Sequence, residues 1–250
     1  PGEAVAILHT STNGYFYYVQ AYNYRGWLSK FDVAETDRST WLRYAEPKNF
    51  LTVVAKDYTL KADGAQVLFQ QGARLQLADK KASAYTVKVP VRTKEGKLQE
   101  EKVVLAANAS LHEGYLPYTT NNIIRSAFKF YDSVYGWGGL QQSVDCSSFI
   151  SNAYRTVGIF LPRNADEQET SAGIHKKMGN MNSAQRANVI KGLTPGSTLH
   201  MDGHVMLYLG SSNEIPYAIH SLGSHYTGGT RHSVMKVVVS DLNLQKSNGN

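Results

Sequence analysis

Hydrophobic and polar positions follow two different rhythms along the chain. Between residues 4 and 46, "AVAILHTS", "YFYYVQAYN" and "GWLSKFDVAE" are short aromatic or β-branched runs, broken at Asn13-Gly14 and Gly26. They read as strands, and Asn-Gly between two such runs predicts a hairpin. Pro47 closes the segment. The same texture returns over 50–108 in "FLTVVAKDYTL", "AQVLF", "ARLQLA", "YTVKVPVRT" and "KLQEEKVVLA", parted by Asp63-Gly64, Gly72 and Glu95-Gly96. In the fourth of these runs Val87, Val89 and Val91 share one face, and Pro90 predicts an edge strand. Five short strands in so few residues predict a small β-barrel. The first segment reads as a similar barrel with part of it missing.

From Tyr118 the period lengthens. "TTNNIIRSAFKFYDSVYG" sets Ile123, Ile124, Ala127, Phe128 and Tyr131 at helical spacing behind a Thr/Asn cap. A second helix, containing Cys146, carries Phe149, Ile150, Ala153, Tyr154 and Val157 on one stripe, with Gly158 at its C′ position. Asn164 and Glu167 are spaced as a capping box. "HVMLYLG", "YAIHSLG" and "MKVVVSDL" then read as strands. Helices followed by strands predict an α+β domain. The organisation expected is an all-β barrel over 1–47 (partial), a second over 48–111 and the α+β domain over 112–250.

The formal net charge of +6 over 250 residues favours encounter with polyanions, anionic cell-wall polymer included. No Lys/Arg run reaches five residues, so a nucleic-acid-binding arm is unsupported. No apolar run approaches the roughly 18 residues of a membrane span. The chain begins at Pro1 rather than Met, which predicts a trimmed or processed product whose leader says nothing either way. One cysteine excludes an internal disulfide.

That cysteine, Cys146, stands in "VDCSSF" at the expected start of a helix. Unpaired N–H groups and the positive end of the helix dipole are expected there to stabilise a thiolate and lower the thiol pKa. A nucleophilic thiol also needs a base. His204 opens one predicted strand and His220 lies in the next. A hairpin folding about Ser212 would set the two imidazoles directly opposite on one face, whereas a slip by one residue would separate them. His200 and His204 would share a face only on a helix, and the residues after Gly203 argue against one. His225 and His232 fall in a predicted Gly/Thr loop. No metal or cofactor is assigned.

"YGWGG" (135–139), "DCSSF" (145–149), "LPR" (161–163), Gln168, "PGS" (195–197), "GHVMLYLG" (203–210) and "IHSL" (219–222), in that order, resemble the NlpC/p60 family of cysteine peptidases. The resemblance implies a papain-like fold and cleavage of peptidoglycan stem peptides after γ-D-glutamate. It implies Cys146 as nucleophile, His204 as general base, His220 as the polar third member and Tyr135 as an oxyanion donor. Asp145 and Ser147 match substrate-lining positions. Trp137 is either packing or a cleft wall. Arg163 is read as a structural ion-pair partner, and Asp145 as a helix cap besides. Ser148 stands where relatives have glycine. Asn164-Ala165 stands where many relatives carry an Asp-Ser that contacts the γ-glutamyl group. "AYNYRGWLSKFDVAE" is similar to the bacterial SH3-like domains that precede such catalytic domains. In relatives of that arrangement an acidic side chain holds a free substrate amine, for which Glu35 and Glu46 are the candidates.

The expectation is therefore a γ-D-glutamyl-L-diamino acid endopeptidase without cofactor. Its partner is a stem peptide or muropeptide. Its place is the cell envelope, or the cytoplasm if it recycles imported peptides. The alternatives are an amidase or acyltransferase on the same fold, and a non-catalytic wall-binding protein.

Overall fold

The computed structural model describes residues 1–171 and 173–244, which fall into two compact units: Pro1–Pro117 with Arg155–Phe160, and Tyr118–Tyr154 with Leu161–Asn250.

The first unit opens with a three-stranded antiparallel sheet, β1 (Ala6–Thr10), β2 (Phe16–Gln20) and β3 (Arg25–Ser29). The Asn13-Gly14 turn joins β1 to β2, with Gly14 at φ 73° where a side chain would be strained. The run "GWLSKFDVAE" is a strand only as far as Ser29, and a helix that the strand reading missed, α1 (Arg38–Ala45), follows. Its start is fixed by Asp37, whose carboxylate accepts from the Thr40 N–H at 2.9 Å.

Next come β4 (Phe50–Val53), the hairpin β5 (Asp57–Ala62)–β6 (Ala65–Gln70), β7 (Arg74–Lys81), β8 (Ala84–Arg92), β9 (Leu98–Ala106) and β10 (Leu111–Glu113). Five of these form one antiparallel sheet in the order β10-β4-β7-β8-β9. Leu51, Val53, Phe69, Leu75, Val87 and Val89 bury its inner face. β8 is an interior strand, which corrects the edge position expected from Pro90. The pairing of β8 with β7 stops at Lys88, so Pro90 lies where that side of the ladder asks for no N–H.

The second unit holds α2 (Thr120–Phe128), α3 (Cys146–Arg155), the short α4 (Ala165–Glu169), α5 (Ser183–Lys191) and the antiparallel meander β11 (Thr198–Met201), β12 (His204–Ser212), β13 (Ile215–Thr227) and β14 (Thr230–Asp241). Thr119 caps α2 by accepting from the Asn122 N–H at 3.2 Å. The helix ends at Phe128, earlier than the periodicity suggested. Phe128 and Tyr131 are exposed, and Phe130 turns inward instead, packing edge-on to Phe149 with ring centroids 5.9 Å apart. Phe149, Ile150 and Ala153 of α3 are fully buried. A second apolar layer joins Leu199, Met206, Tyr208 and Ala218 of the sheet to Ile190 of α5 and to Leu193.

Phe149→Ala removes a fully buried ring of α3 that packs on Phe130. It is expected to cost about 3–5 kcal/mol of the second unit's stability, read as a lower midpoint in urea unfolding with an unchanged slope.

Candidate active site

The site is assembled from the segment before α3, the first turn of α3 and three strands of the meander. Residues 132–135 are stitched to β14. Asp132 N–H donates to Val237 O at 2.9 Å, Val237 N–H to Ser133 O at 2.8 Å, and Tyr135 N–H to Met235 O at 3.0 Å. Gly136 N–H then donates to Val144 O at 3.1 Å, closing a loop over 137–143. A β-carbon on Gly136 would sit 1.6 Å from Ser143 Oγ and 2.6 Å from Leu140 O, so the first glycine of "YGWGG" is a packing requirement. Gly138 and Gly139 have φ of 67° and 82°, which lets the loop turn back on itself.

Asp145 is the hub. Its Oδ1 accepts from the Ser148 N–H at 2.9 Å, and the Ser148 Oγ accepts from the Asp145 N–H at 3.0 Å. This is a reciprocal cap, and it gives Ser148 a physical role at the position where relatives have glycine. Arg163 grips both carboxylate oxygens, at 2.6 Å to Oδ2 and 3.3 Å to Oδ1, and also donates to Ser147 Oγ at 2.9 Å. Gly138 N–H donates to Oδ2 at 3.1 Å. Ser147 is buried, with its hydroxyl donating to Asp145. Gln168 ties the same turn to the "LPR" segment, donating to Ser147 O at 3.0 Å and Pro162 O at 2.8 Å. Burial alone would raise the Asp145 carboxyl pKa. The Arg163 pair and the Ser148 N–H outweigh it, so the group is held below its ordinary range.

Cys146 is the first residue of α3, a half-buried free thiol. Its pKa is raised, which corrects the lowering expected from the helix end. Burial is the largest cause, and the Asp145 carboxylate adds to it. The N–H groups of Val205, Ser147 and Cys146 itself favour the thiolate but do not overcome burial. The Val205 N–H on the sulfur also locates it beside the start of β12, where His204 is the neighbouring residue.

The rings of His204 and His220 meet with Nε2 and Nδ1 2.7 Å apart, though not in direct opposition as the simple hairpin predicted. The turn is Asn213-Glu214, not Ser212, and it pairs Ser212 with Ile215. A bulge between Tyr208 and Gly210 then shifts the register, so that Leu207 faces Ile219. Continued by one residue, this sets Met206 opposite His220. His204 and His220 are diagonal neighbours on one face, within reach for rings of this size. His220 is 0% exposed. Burial first, and His204 second, push its pKa down to about 3, so it is neutral at ordinary pH. Its other nitrogen, Nε2, lies 3.0 Å from Ser240 Oγ on β14.

Tyr135 is half-buried. Its phenol pKa is raised by burial and then by the proximity of Cys146 and Asp145, which puts the hydroxyl in their neighbourhood. Trp137 is 76% exposed on the loop whose Gly138 N–H meets Asp145. Asn164 caps α4, with Glu167 accepting its N–H at 3.4 Å, and Ala165 is the first residue of that helix. Glu35 is already engaged within the first unit, by Tyr17 at 2.5 Å and Lys97 at 2.7 Å, and Glu46 ends α1. His200 lies in β11 opposite Val205 rather than on a helix. His225 and His232 are not in a loop. They are directly paired across β13 and β14 with rings stacked at 5.2 Å, because the turn is confined to Gly228-Gly229. Among the described residues no group of three or more His, Cys, Asp or Glu could hold a metal ion. The strand patterns did not point to Ser240 or to the Val205 N–H. A serine closing the valine run of β14 is a visible signal only once the register is known.

Residues 132–236 match the NlpC/P60 family model, and residues 1–29 match that of the SH3 domain of SH3b1 type. The chain carries an NlpC/P60 domain. The NlpC/P60 family is generally one of peptidoglycan hydrolases and cysteine peptidases. Among solved structures, the chain is similar to an NlpC/P60 endopeptidase from Photobacterium damselae subsp. piscicida (TM-score 0.76, 20% identity, 96% of this chain and 56% of that one). It is also similar to an NlpC/P60 family protein from Bacillus cereus ATCC 10987 (TM-score 0.65, 17% identity, 96% of this chain and 74% of that one). At these identities the likeness is one of fold, and the chain spans little more than half of the Photobacterium enzyme. No curated protein sequence matches. No described helix is long and apolar enough to cross a membrane.

The depressed Asp145 carboxyl gives a signed pH dependence. Its stabilisation is fully present above the unfolded-state value of about 4 and is lost as pH falls through the folded-state value. Urea unfolding of the second unit is therefore expected to weaken below about pH 4. Asp145→Asn should flatten that dependence and cost about 1.5–3 kcal/mol at neutral pH.

Proposed function

We propose that the protein is a γ-D-glutamyl-L-diamino acid endopeptidase that cleaves peptidoglycan stem peptides through a Cys146 acyl-enzyme. In this reading the segments 1–47 and 48–111 are two SH3-like barrels ahead of a catalytic domain over 112–250, and the protein works in the cell envelope. The observation that carries the reading is one constellation in the NlpC/P60 domain. The Cys146 sulfur receives the Val205 N–H at the head of β12, and the adjacent His204 has its Nε2 engaged by a buried neutral imidazole.

With Nε2 engaged, Nδ1 is the nitrogen left to take the thiol proton. A raised thiol pKa means that the thiolate forms as an ion pair with His204 rather than by the helix end alone. The thiolate attacks the γ-glutamyl carbonyl carbon, and negative charge develops on the carbonyl oxygen. The Cys146 N–H and the Tyr135 hydroxyl are assigned as its donors. The tetrahedral intermediate collapses as the carbon–nitrogen bond breaks, and the His204 imidazolium gives its proton to the departing α-amine of the diamino acid. Water, deprotonated by His204, then attacks the thioester and releases the glutamyl carboxylate and the thiol. Trp137, Asn164 and Ala165 are proposed to flank the bound peptide, with Asp145 and Ser147 beneath it, holding Arg163.

Mass spectrometry of a defined muropeptide tests the bond. Wild type is expected to release the diamino-acid fragment and Cys146→Ala none. Release of intact peptide from glycan would identify an amidase instead. Tyr135→Phe should lower kcat about a hundredfold. A separate expectation concerns the thiol: wild type should react with iodoacetamide at neutral pH, whereas His204→Ala should react only above the ordinary thiol range of about 8.5. Equal profiles for the two proteins would remove His204 as the base.

A further inference from the structure

We propose that Ser240 is a positioning residue for the histidine pair: by accepting a hydrogen bond from the His220 Nε2–H, it supports the tautomer that leaves His204 able to take the Cys146 proton. The proposal rests on the thiol–imidazole reading above and adds to it a residue two strands away from His204.

His220 lies in the middle of the meander, fully buried, with one partner at each ring nitrogen. On β14, Val238 is its direct opposite and Ser240 is the opposite of Ala218, so Ser240 is a diagonal neighbour. The chain of contacts His204–His220–Ser240 thus steps diagonally over β12, β13 and β14. A neutral imidazole carries one N–H and one lone pair, and two arrangements are open to this one. With the proton on Nε2, His220 donates to Ser240, and its Nδ1 accepts from His204 Nε2–H. His204 then keeps a lone pair on Nδ1. With the proton on Nδ1, His220 donates to His204 Nε2, and its bare Nε2 accepts from the Ser240 hydroxyl. The His204 proton is then forced onto Nδ1, the wrong nitrogen for a base facing a thiol.

The difference sharpens when His204 takes up the proton. The imidazolium has N–H groups at both nitrogens, so the second arrangement would set two N–H groups head to head at 2.7 Å. Only the first converts the contact into a charge-assisted bond. That arrangement needs an acceptor for the buried Nε2–H, and the Ser240 hydroxyl is in place at 3.0 Å. A hydroxyl also suits the task better than a carboxylate. An anion at 240 would draw a second proton onto His220 and replace the Nδ1 lone pair that His204 uses.

The test uses the full chain with ¹⁵N-labelled histidine. His220 is assigned through His220→Asn, and its tautomer is read from long-range ¹H–¹⁵N correlations. The proposal expects a protonated Nε2 and an unprotonated Nδ1 in wild type and in Ser240→Thr, and a mixed or reversed pattern in Ser240→Ala. In kinetics on the muropeptide, Ser240→Ala should lower kcat roughly ten- to a hundredfold with little change in KM. Ser240→Thr should restore activity to within a few-fold. Ser240→Asp should be worse than alanine despite offering a stronger acceptor. A protonated Nδ1 in wild type, or an alanine variant with wild-type tautomer and kcat, overturns the proposal. So does a threonine variant that folds, by circular dichroism, yet is as slow as alanine. The underlying reading fails separately, through a Cys146→Ala enzyme that retains full activity.

Discussion

A buried carboxylate one residue ahead of the thiol fixes the geometry of the whole site. Asp145 closes the N-terminal turn of α3, receives both arms of the Arg163 guanidinium and anchors the 137–143 loop through Gly138. Three separate pieces of chain are thereby referred to one pair of oxygen atoms. The arrangement has an electrostatic cost: a negative charge beside Cys146 opposes ionisation of the sulfur. Arg163 lessens that cost by neutralising the carboxylate, and it is also the link to Ser147 and, through Gln168, to the segment entering α4. Removing the charge would free the thiol electrostatically while loosening the turn that holds it.

The sheet supplies the opposite kind of environment. His220 is buried and stays neutral because water cannot solvate its charge. In the proposed mechanism, a neutral partner stabilises a protonated His204 less than a carboxylate would. On that proposal the pairing suits a base that has to give its proton back to a leaving amine. A thiol that resists ionisation and a neutral histidine partner are, on the proposed mechanism, matched so that proton transfer is not locked in either direction.

Periodicity made much of this legible, because burial imposes it. The apolar stripe of α3, the cap at Asp145, the hairpin at Asn13-Gly14 and the alternation in β8 all follow from residues whose neighbours in sequence are also their physical partners. The misses arise where the deciding partner is distant. "RSTWLRYA" has no strong apolar period, and only the Asp37 cap marks its start, so α1 was hidden among strand-like aromatics. Pro90 signals a missing N–H on one side of a ladder, which is a property of where the β7–β8 pairing stops and not of strand position. A helix start reports the direction of the local dipole at Cys146 but nothing of the burial that outweighs it. Ser240 is an ordinary strand serine until the β13–β14 register is known. The roles of the individual site residues rest on this geometry together with the family pattern.

The bulge in β12 makes the hairpin a counting device. With a two-residue turn and every residue of β12 paired in register, His220 would lie opposite Leu207, and its ring would point away from His204. Leaving Leu209 out of register changes odd to even and returns both rings to one side. Insertions or deletions between the two histidines are therefore graded by arithmetic rather than by size. With the bulge kept, losing one residue inverts the relationship, whereas losing two preserves the face and only moves the contact by one rung; losing Leu209 together with the bulge preserves it as well. Variation in hairpin length among proteins built this way should consequently come in pairs, or come with a second bulge.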